Sequence, residues 1–235
     1  MCTSKYGWIA VITLVLTAGL AVPSHAQTQQ QIDWCSGKGG ATPDLQVGGC
    51  TAYIQSGKLS GRNLAEVFFN RGIAYEDKGD IDSAIRDYDQ AIRVDPKYAS
   101  PFNNRGRVYF AKGDHDRAIR DYDQAIRLDP KDADAFNNRG VVYFVKGDLD
   151  NAIRYYDQAI RLNPKYADAF YSRGLAYSKK GDHDSAIRDY DQAFRLNPKY
   201  AKALYLRAIA KRAKGDVAGA DADLAEAKRI DPRIK

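Results

Sequence analysis

At 235 residues, with a formal net charge of +6, 44% hydrophobic and 28% charged residues, the chain is composed like an ordinary soluble globular protein rather than one of extreme composition. It is long enough for one or two compact domains or a short repeat array, and composition leaves that choice open. The positive charge invites a nucleic-acid partner, a reading decided by where the bases lie.

Residues 1–26 read as a cleaved secretory signal. Lys5 precedes an apolar run from Trp8 to Val22, and Ser24-His25-Ala26 offers small residues at the two positions a signal peptidase reads. The run is broken by Thr13, Thr17 and Gly19 and falls short of the roughly 20 apolar residues that cross a bilayer. The expectation is therefore an exported protein, periplasmic or extracellular, with no transmembrane span after cleavage. Cys2 leaves with the signal.

Residues 27–64 read as an N-terminal cap. The pair Cys35 and Cys50 points to one disulfide in an oxidising compartment, closing a loop of about 15 residues, with two buried thiols as the alternative. Pro43 opens a helix over residues 43–55, in which Val47, Cys50 and Ile54 recur at helical spacing. This looks like the second half of a hairpin, followed by a loop from Gly57 to Asn63. Gly37-Lys38-Gly39-Gly40 lacks the strand, the spacing and the following Ser or Thr of a phosphate loop.

From residue 65 the chain repeats. Pro96, Pro130, Pro164, Pro198 and Pro232 recur at one fixed interval, as do Gly79, Gly113, Gly147, Gly181 and Gly215. The interval is about 34 residues, which in the catalogue of repeat lengths is a pair of short helices. Counting position 1 from Ala65, Ala99, Ala133, Ala167 and Ala201, the third unit carries Phe136, Gly140, Tyr143, Ala152, Tyr156, Ala159 and Pro164. With these residues the sequence resembles the tetratricopeptide-repeat family, over residues 65–234. The resemblance implies an all-α, right-handed solenoid of five hairpins (65–98, 99–132, 133–166, 167–200 and 201–234) behind an N-terminal helical cap.

The spacing agrees with the resemblance. The bulky residue, the glycine and the tyrosine of the first half lie three or four apart and form one helical stripe, and the two alanines and the aromatic of the second half form another. The Lys-Gly pair can close the first helix, and the following aspartates, Asp80 to Asp216, can cap the second. Proline stops it. In the fifth unit Lys211 and Leu224 replace the two tyrosines among charged neighbours, which reads as a solvated C-terminal cap.

Bases and acids alternate within each unit, as in Arg120-Asp121-Tyr122-Asp123, a pattern that reads as a solvated face and does not favour nucleic acid. The first repeat holds eight acids against five bases, and residues 201–235 nine bases against five acids. Such a gradient could orient a partner or bring copies head to tail as a homo-oligomer, although scatter among exposed residues explains it as well.

The resemblance also implies a binding surface, since partners of this family usually lie in a concave groove lined by the first helices. Carried onto this chain, the groove consists of Phe69, Ile73, Asn103, Arg107, Phe110, Asn137, Val141, Phe144, Tyr171, Leu175, Tyr205 and Ile209. An apolar patch of that extent marks an interaction site, and an extended peptide or an amphipathic helix is the matching guest. The two asparagines can hydrogen-bond a peptide backbone, and part of the apolar set can equally pack between repeats. One subgroup of the family grips acidic C-termini through a clamp of Lys, Asn and Arg. Asn104 and Asn138 fall at its central Asn, but Phe69, Asp134 and Asn138 stand where bases are needed, so the clamp is not expected. The position-7 arginines (Arg71, Arg105, Arg139, Arg173 and Arg207) read as structural, free to pair with acids on a neighbouring helix.

No catalytic, metal or cofactor site is expected. His115 and His183 fall in turns two repeats apart, and neither Gly-x-Ser-x-Gly nor His-Glu-x-x-His occurs. The leading expectation is an envelope adaptor that binds a protein or peptide. A self-stacking structural protein and an accessory factor of an envelope enzyme are the alternatives.

Overall fold

The computed structural model describes residues 25–234. The expected signal lies outside the described residues except for His25 and Ala26, which open the first helix. Twelve helices follow in chain order: α1 (His25–Cys35), α2 (Pro43–Gln55), α3 (Gly61–Asp77), α4 (Ile81–Val94), α5 (Ala99–Ala111), α6 (His115–Leu128), α7 (Ala133–Val145), α8 (Leu149–Leu162), α9 (Ala167–Lys179), α10 (His183–Leu196), α11 (Ala201–Ala213) and α12 (Val217–Ile230). They pack as antiparallel pairs, each stacked on the next, in an all-α solenoid.

The turns follow from the sequence punctuation. In the second repeat Gly113 sits at φ +79°, in the left-handed region that suits glycine. Its amide donates to the Phe110 carbonyl and that of Asp114 to the Tyr109 carbonyl, closing α5 with paired reverse bonds. Asp114 then turns its carboxylate onto the Arg117 amide and starts α6. At the far end the carboxylate of Asp129, beside Pro130, accepts from the Lys131 amide, a small turn that launches the next repeat.

Within a hairpin the glycine at position 8 carries the ring of the tyrosine at position 24. A methyl group on Gly72, Gly106, Gly140 or Gly174 would lie 2.6–2.9 Å from Tyr88, Tyr122, Tyr156 or Tyr190. These rings are the largest fully buried side chains of the array. The fifth repeat changes both partners together, with Ala208 in the glycine's place and Leu224 in the tyrosine's.

Two expectations about the N-terminal cap are corrected. It is a complete hairpin rather than half of one, because α1 packs along α2. Gly49 lets the helices meet: a methyl there would lie 2.6 Å from the Gln31 carbonyl oxygen. In addition, residues 61–63 belong to helix rather than loop. The extra turn of α3 is held by Arg62, which pairs with Glu66 at 3.0 Å and Asp95 at 3.1 Å and lies 3.5 Å over the Tyr98 ring.

Cys35 and Cys50 are joined, so α1 is tied to α2 by a buried disulfide. Closing a loop of this length is worth about 3 kcal/mol on the chain-entropy model. Reduction is expected to lower the unfolding free energy by about that amount, seen as a lower urea midpoint, while leaving the slope of the transition, and the helical signal at low urea, nearly unchanged.

The other end is finished with charge. Positions 21 and 28 are Ile85 and Ile92 in the first repeat, where they pack against clusters that include the next repeat's Val108 and Phe102. On α12 the same positions are Asp221 and Lys228, both exposed. The expectation of a solvated C-terminal helix is met.

Candidate functional site

Successive first helices approach one another, α1 to α3, α5 to α7 and α7 to α9, whereas no successive second helices come into comparable contact. The stack therefore curves toward its first helices, whose inward residues line the concave face. The expected groove residues fall on these helices in two layers.

Those at position 5 pack on position 34 of their own repeat. Phe69 lies 5.2 Å from Tyr98 and 5.9 Å from Tyr88, and Tyr171 lies 4.8 Å from Tyr200 and 6.0 Å from Tyr190, measured between ring centres. Tyr205 shares a cleft with Ile234. These aromatics present one edge to the groove and give the rest to the repeat core, as the packing alternative anticipated.

The asparagines require a correction. The side-chain amide of Asn103 donates to Asp132, the last residue of its own repeat, at 3.3 Å, and its oxygen accepts from Asn138 of the next repeat at 3.1 Å, so both its groups are already engaged. Asn137 is 7% exposed, and its side-chain oxygen has no partner among the described residues. Asn103 is therefore a structural strut, and the Asn137 oxygen, though unpaired, is buried rather than open to the groove.

Positions 9, 12 and 13 form the outer layer. Ile73, Val141 and Leu175 are half-buried, while Arg107, Val145 and Ile209 are exposed. Phe110 and Phe144 rest on the clusters around Tyr122 and Tyr156; Phe110 lies 5.5 Å from the His115 ring, and Lys179 sits 5.0 Å over Phe144. Arg107 donates to Glu76 at 2.9 Å, and Glu76 also accepts from the Tyr88 hydroxyl. Burial, then Glu76, pushes the Tyr88 hydroxyl far above the usual tyrosine range, so it stays a donor. The concave face thus presents a broken apolar strip, Phe110, Phe144, Val145 and Ile209, flanked by cations.

Beneath this surface runs a ladder of ion pairs that sequence reasoning did not resolve. Arg105 grips Asp121 of its own repeat through two nitrogens, at 2.7 and 2.8 Å, and reaches Asp89 of the preceding repeat at 2.5 Å. Arg173 holds Asp189 and Asp157 in the same way, as Arg207 does Asp223 and Asp191. Arg71 holds Asp87 and ends on Thr51 of α2. Only the third repeat departs, with Tyr155 in place of the aspartate: Arg139 keeps Asp123 and lies 4.4 Å over the Tyr155 ring. A second rail joins Lys112 to Asp82 and Lys146 to Asp116, both at 2.9 Å, with Lys180 on Asp150 and Lys214 on Asp184.

The arginines are structural, as expected, but the reading of Arg120-Asp121-Tyr122-Asp123 as a solvated face fails for Asp121, which is 6% exposed. The missed signal was the recurrence of aspartate at positions 18, 23 and 25 at the full repeat interval. His115 and His183 stay apart, and among the described residues no group of three or more His, Cys, Asp or Glu is arranged to hold a metal.

Models of the tetratricopeptide repeat match residues 72–113, 103–167 and 167–200. Among solved structures, the crystal structure of MamA is 30% identical, with 69% of this chain and 95% of that one aligned at a TM-score of 0.63. The chain belongs to the tetratricopeptide-repeat family. The fold recurs in YrrB, described as a tetratricopeptide-repeat protein with an unusual peptide-binding site, at 23% identity over 78% of this chain and 93% of that one with a TM-score of 0.61. It recurs also in PilF of Pseudomonas aeruginosa, at 19% identity over 88% and 91% with a TM-score of 0.73. No curated protein sequence matches the chain significantly. Family and fold together define a protein-interaction scaffold.

Proposed function

We propose that this scaffold works in the cell envelope, holding a segment of another polypeptide against its concave face. The observation that carries the reading is the apolar strip of Phe110, Phe144, Val145 and Ile209, set on first helices that the ion-pair ladder keeps in register. Apolar side chains left half-exposed in a line on a rigid surface favour a partner that covers them. YrrB, with its peptide-binding site, lends support by likeness of fold. The envelope location rests on the signal-like residues 1–26, and a Cys35–Cys50 bridge is in keeping with an oxidising compartment. Among the described residues no helix is long and apolar enough to cross a membrane. Stacking of copies end to end gains less support, because Asp221 and Lys228 stand where interior repeats offer isoleucine or phenylalanine.

Replacing Phe110 and Phe144 together by Glu places two charges on the strip while keeping every glycine and tyrosine of the core beneath it. Capture of partners from an envelope extract should fall by about tenfold or more, equivalent to some 1.4 kcal/mol, while the helical circular dichroism stays that of the parent. Undiminished capture by a folded variant would remove the groove from the account.

A further inference from the structure

The edge of the array where each second helix hands over to the next first helix carries a charge pattern that its turns do not require. Positions 29 and 33 are basic in every repeat, from Arg93 and Lys97 to Arg229 and Arg233, and all of them stand exposed. The acids between them thin out along the chain. Positions 31, 34 and 2 are Asp129, Asp132 and Asp134 between repeats two and three, Asn163, Tyr166 and Asp168 at the next junction, and Asn197, Tyr200 and Lys202 at the last. The turn itself is unchanged: Asn163 and Asn197 accept from the Lys165 and Lys199 amides at 3.1 Å, as Asp129 does from that of Lys131 at 3.0 Å. A neutral oxygen serves this turn as well as a carboxylate, so the fold leaves the charge there free to vary.

At the last junction the bases converge. Lys199, Lys202, Arg229 and Arg233 line one open cleft of about 740 Å³ around a single acid, Asp231. Arg233 takes that acid at 2.9 Å and Arg229 takes Glu226 at 2.6 Å, whereas Lys199 and Lys202 have no carboxylate at ion-pair distance among the described residues. Lys165 and Arg195 continue the row onto the preceding repeat. The opposite edge, made by the turns inside the hairpins, has the other sign. Across the fourth repeat, Asp182 and Asp184 stand exposed at one edge, beside Lys180 that is turned onto Asp150, and Arg195 and Lys199 stand exposed at the other. Charge is thus sorted between the two edges rather than mixed, which a merely solvated surface does not need.

We infer that this basic edge rests on the surface of a membrane rich in acidic phospholipid, with Lys199, Lys202, Arg229 and Arg233 against the phosphate-bearing headgroups. A bilayer is the matching occupant because the bases are exposed, carried on long side chains and spread over successive repeats. That arrangement meets a sheet of many charges better than one bound anion. Pro198, Tyr200 and Ile230 complete the lining and give the lysine and arginine stems an apolar bed at the interface. In this pose the acidic edge points to water and the concave face stays open, so the inference does not depend on the guest of the central strip. Of the four bases Lys202 also borders the concave side, beside Tyr171 and Tyr205.

The test is co-sedimentation of the chain from Gln27 onward, which keeps every described hairpin, with vesicles of phosphatidylcholine alone or with about one-third phosphatidylglycerol. The acidic vesicles are expected to bind the protein about tenfold or more tightly than the neutral ones, and less tightly as salt rises. Lys199→Glu with Lys202→Asp should weaken that binding by about tenfold or more. Lys97→Glu with Lys131→Glu, an equal change of net charge on the same edge of the first two repeats, should leave it within about threefold. Folding of each variant is read from its helical signal. Lys202→Asp alone installs the aspartate that the third and fourth repeats carry at this position, so it keeps the fold and should weaken binding by about threefold. Equal binding to the two kinds of vesicle, or equal loss in the two double variants, would overturn the inference. So would no binding to the acidic vesicles, even where soluble polyglutamate is bound.

Discussion

Arg173→Ala is expected to cost about 3–5 kcal/mol, the loss associated with stranding one member of a buried ion pair. Asp189, its partner at 2.6 and 2.8 Å, is 5% exposed. The change leaves that carboxylate buried without its cation and also breaks the link to Asp157 of the preceding repeat. Removing both partners is expected to cost less, so Arg173→Ala with Asp189→Asn should be more stable than Arg173→Ala alone. The pH dependence carries a definite sign. Burial raises the Asp189 carboxyl above the usual carboxylate range even with Arg173 pulling it down, and without Arg173 it rises further. A carboxyl with a raised folded value favours the native state at low pH, and that contribution is lost as pH climbs through it. The deficit of Arg173→Ala relative to the parent should therefore shrink between pH 7 and about 5. Urea titrations at the two pH values measure it; a deficit below about 1 kcal/mol at pH 7 would mean that the ladder is an ornament of the surface.

The second large effect concerns the glycine–tyrosine contact. A methyl group added at Gly140 would lie 2.7 Å from the Tyr156 ring, which is 1% exposed and has nowhere to move. Gly140→Ala should cost about 1–3 kcal/mol by overpacking, after any gain in helix propensity. Tyr156→Leu should cost about 2 kcal/mol or more through the cavity it leaves. Together the two changes recreate the Ala208–Leu224 combination of the fifth repeat, so the double variant should be more stable than the sum predicts by about 1 kcal/mol. Strict additivity in the cycle would show that the fifth repeat changed these positions independently.

These two cases divide what the sequence disclosed from what it concealed. The turns were legible because glycine at positive φ and aspartate at a helix start each have one dominant local use, and both recur in every repeat. The ladder was not, because Asp89 and Asp121 lie equally far before and after Arg105 along the chain. Nothing in the sequence says which of them is buried. Helix α1 escaped notice because residues 25–35 hold few apolar residues, and its place depends on the bridge to Cys50 and the close approach at Gly49.

The candidate site was legible as a face but not residue by residue. Helical period places Phe69, Asn103 and Tyr171 on the inner side. Whether each turns toward a guest or toward its own repeat depends on position 34, where Tyr98, Asp132 and Tyr200 claim them. Phe110, Phe144 and Ile209, which no such partner covers, remain the core of the surface.

The proposed role is tested most directly by placing a photo-crosslinking phenylalanine analogue at position 144, on the concave face, and at position 161, exposed on α8. After irradiation in the native cell, position 144 should yield a discrete polypeptide adduct that position 161 does not. Adducts from position 161 alone, or equally from both, would contradict a concave binding face.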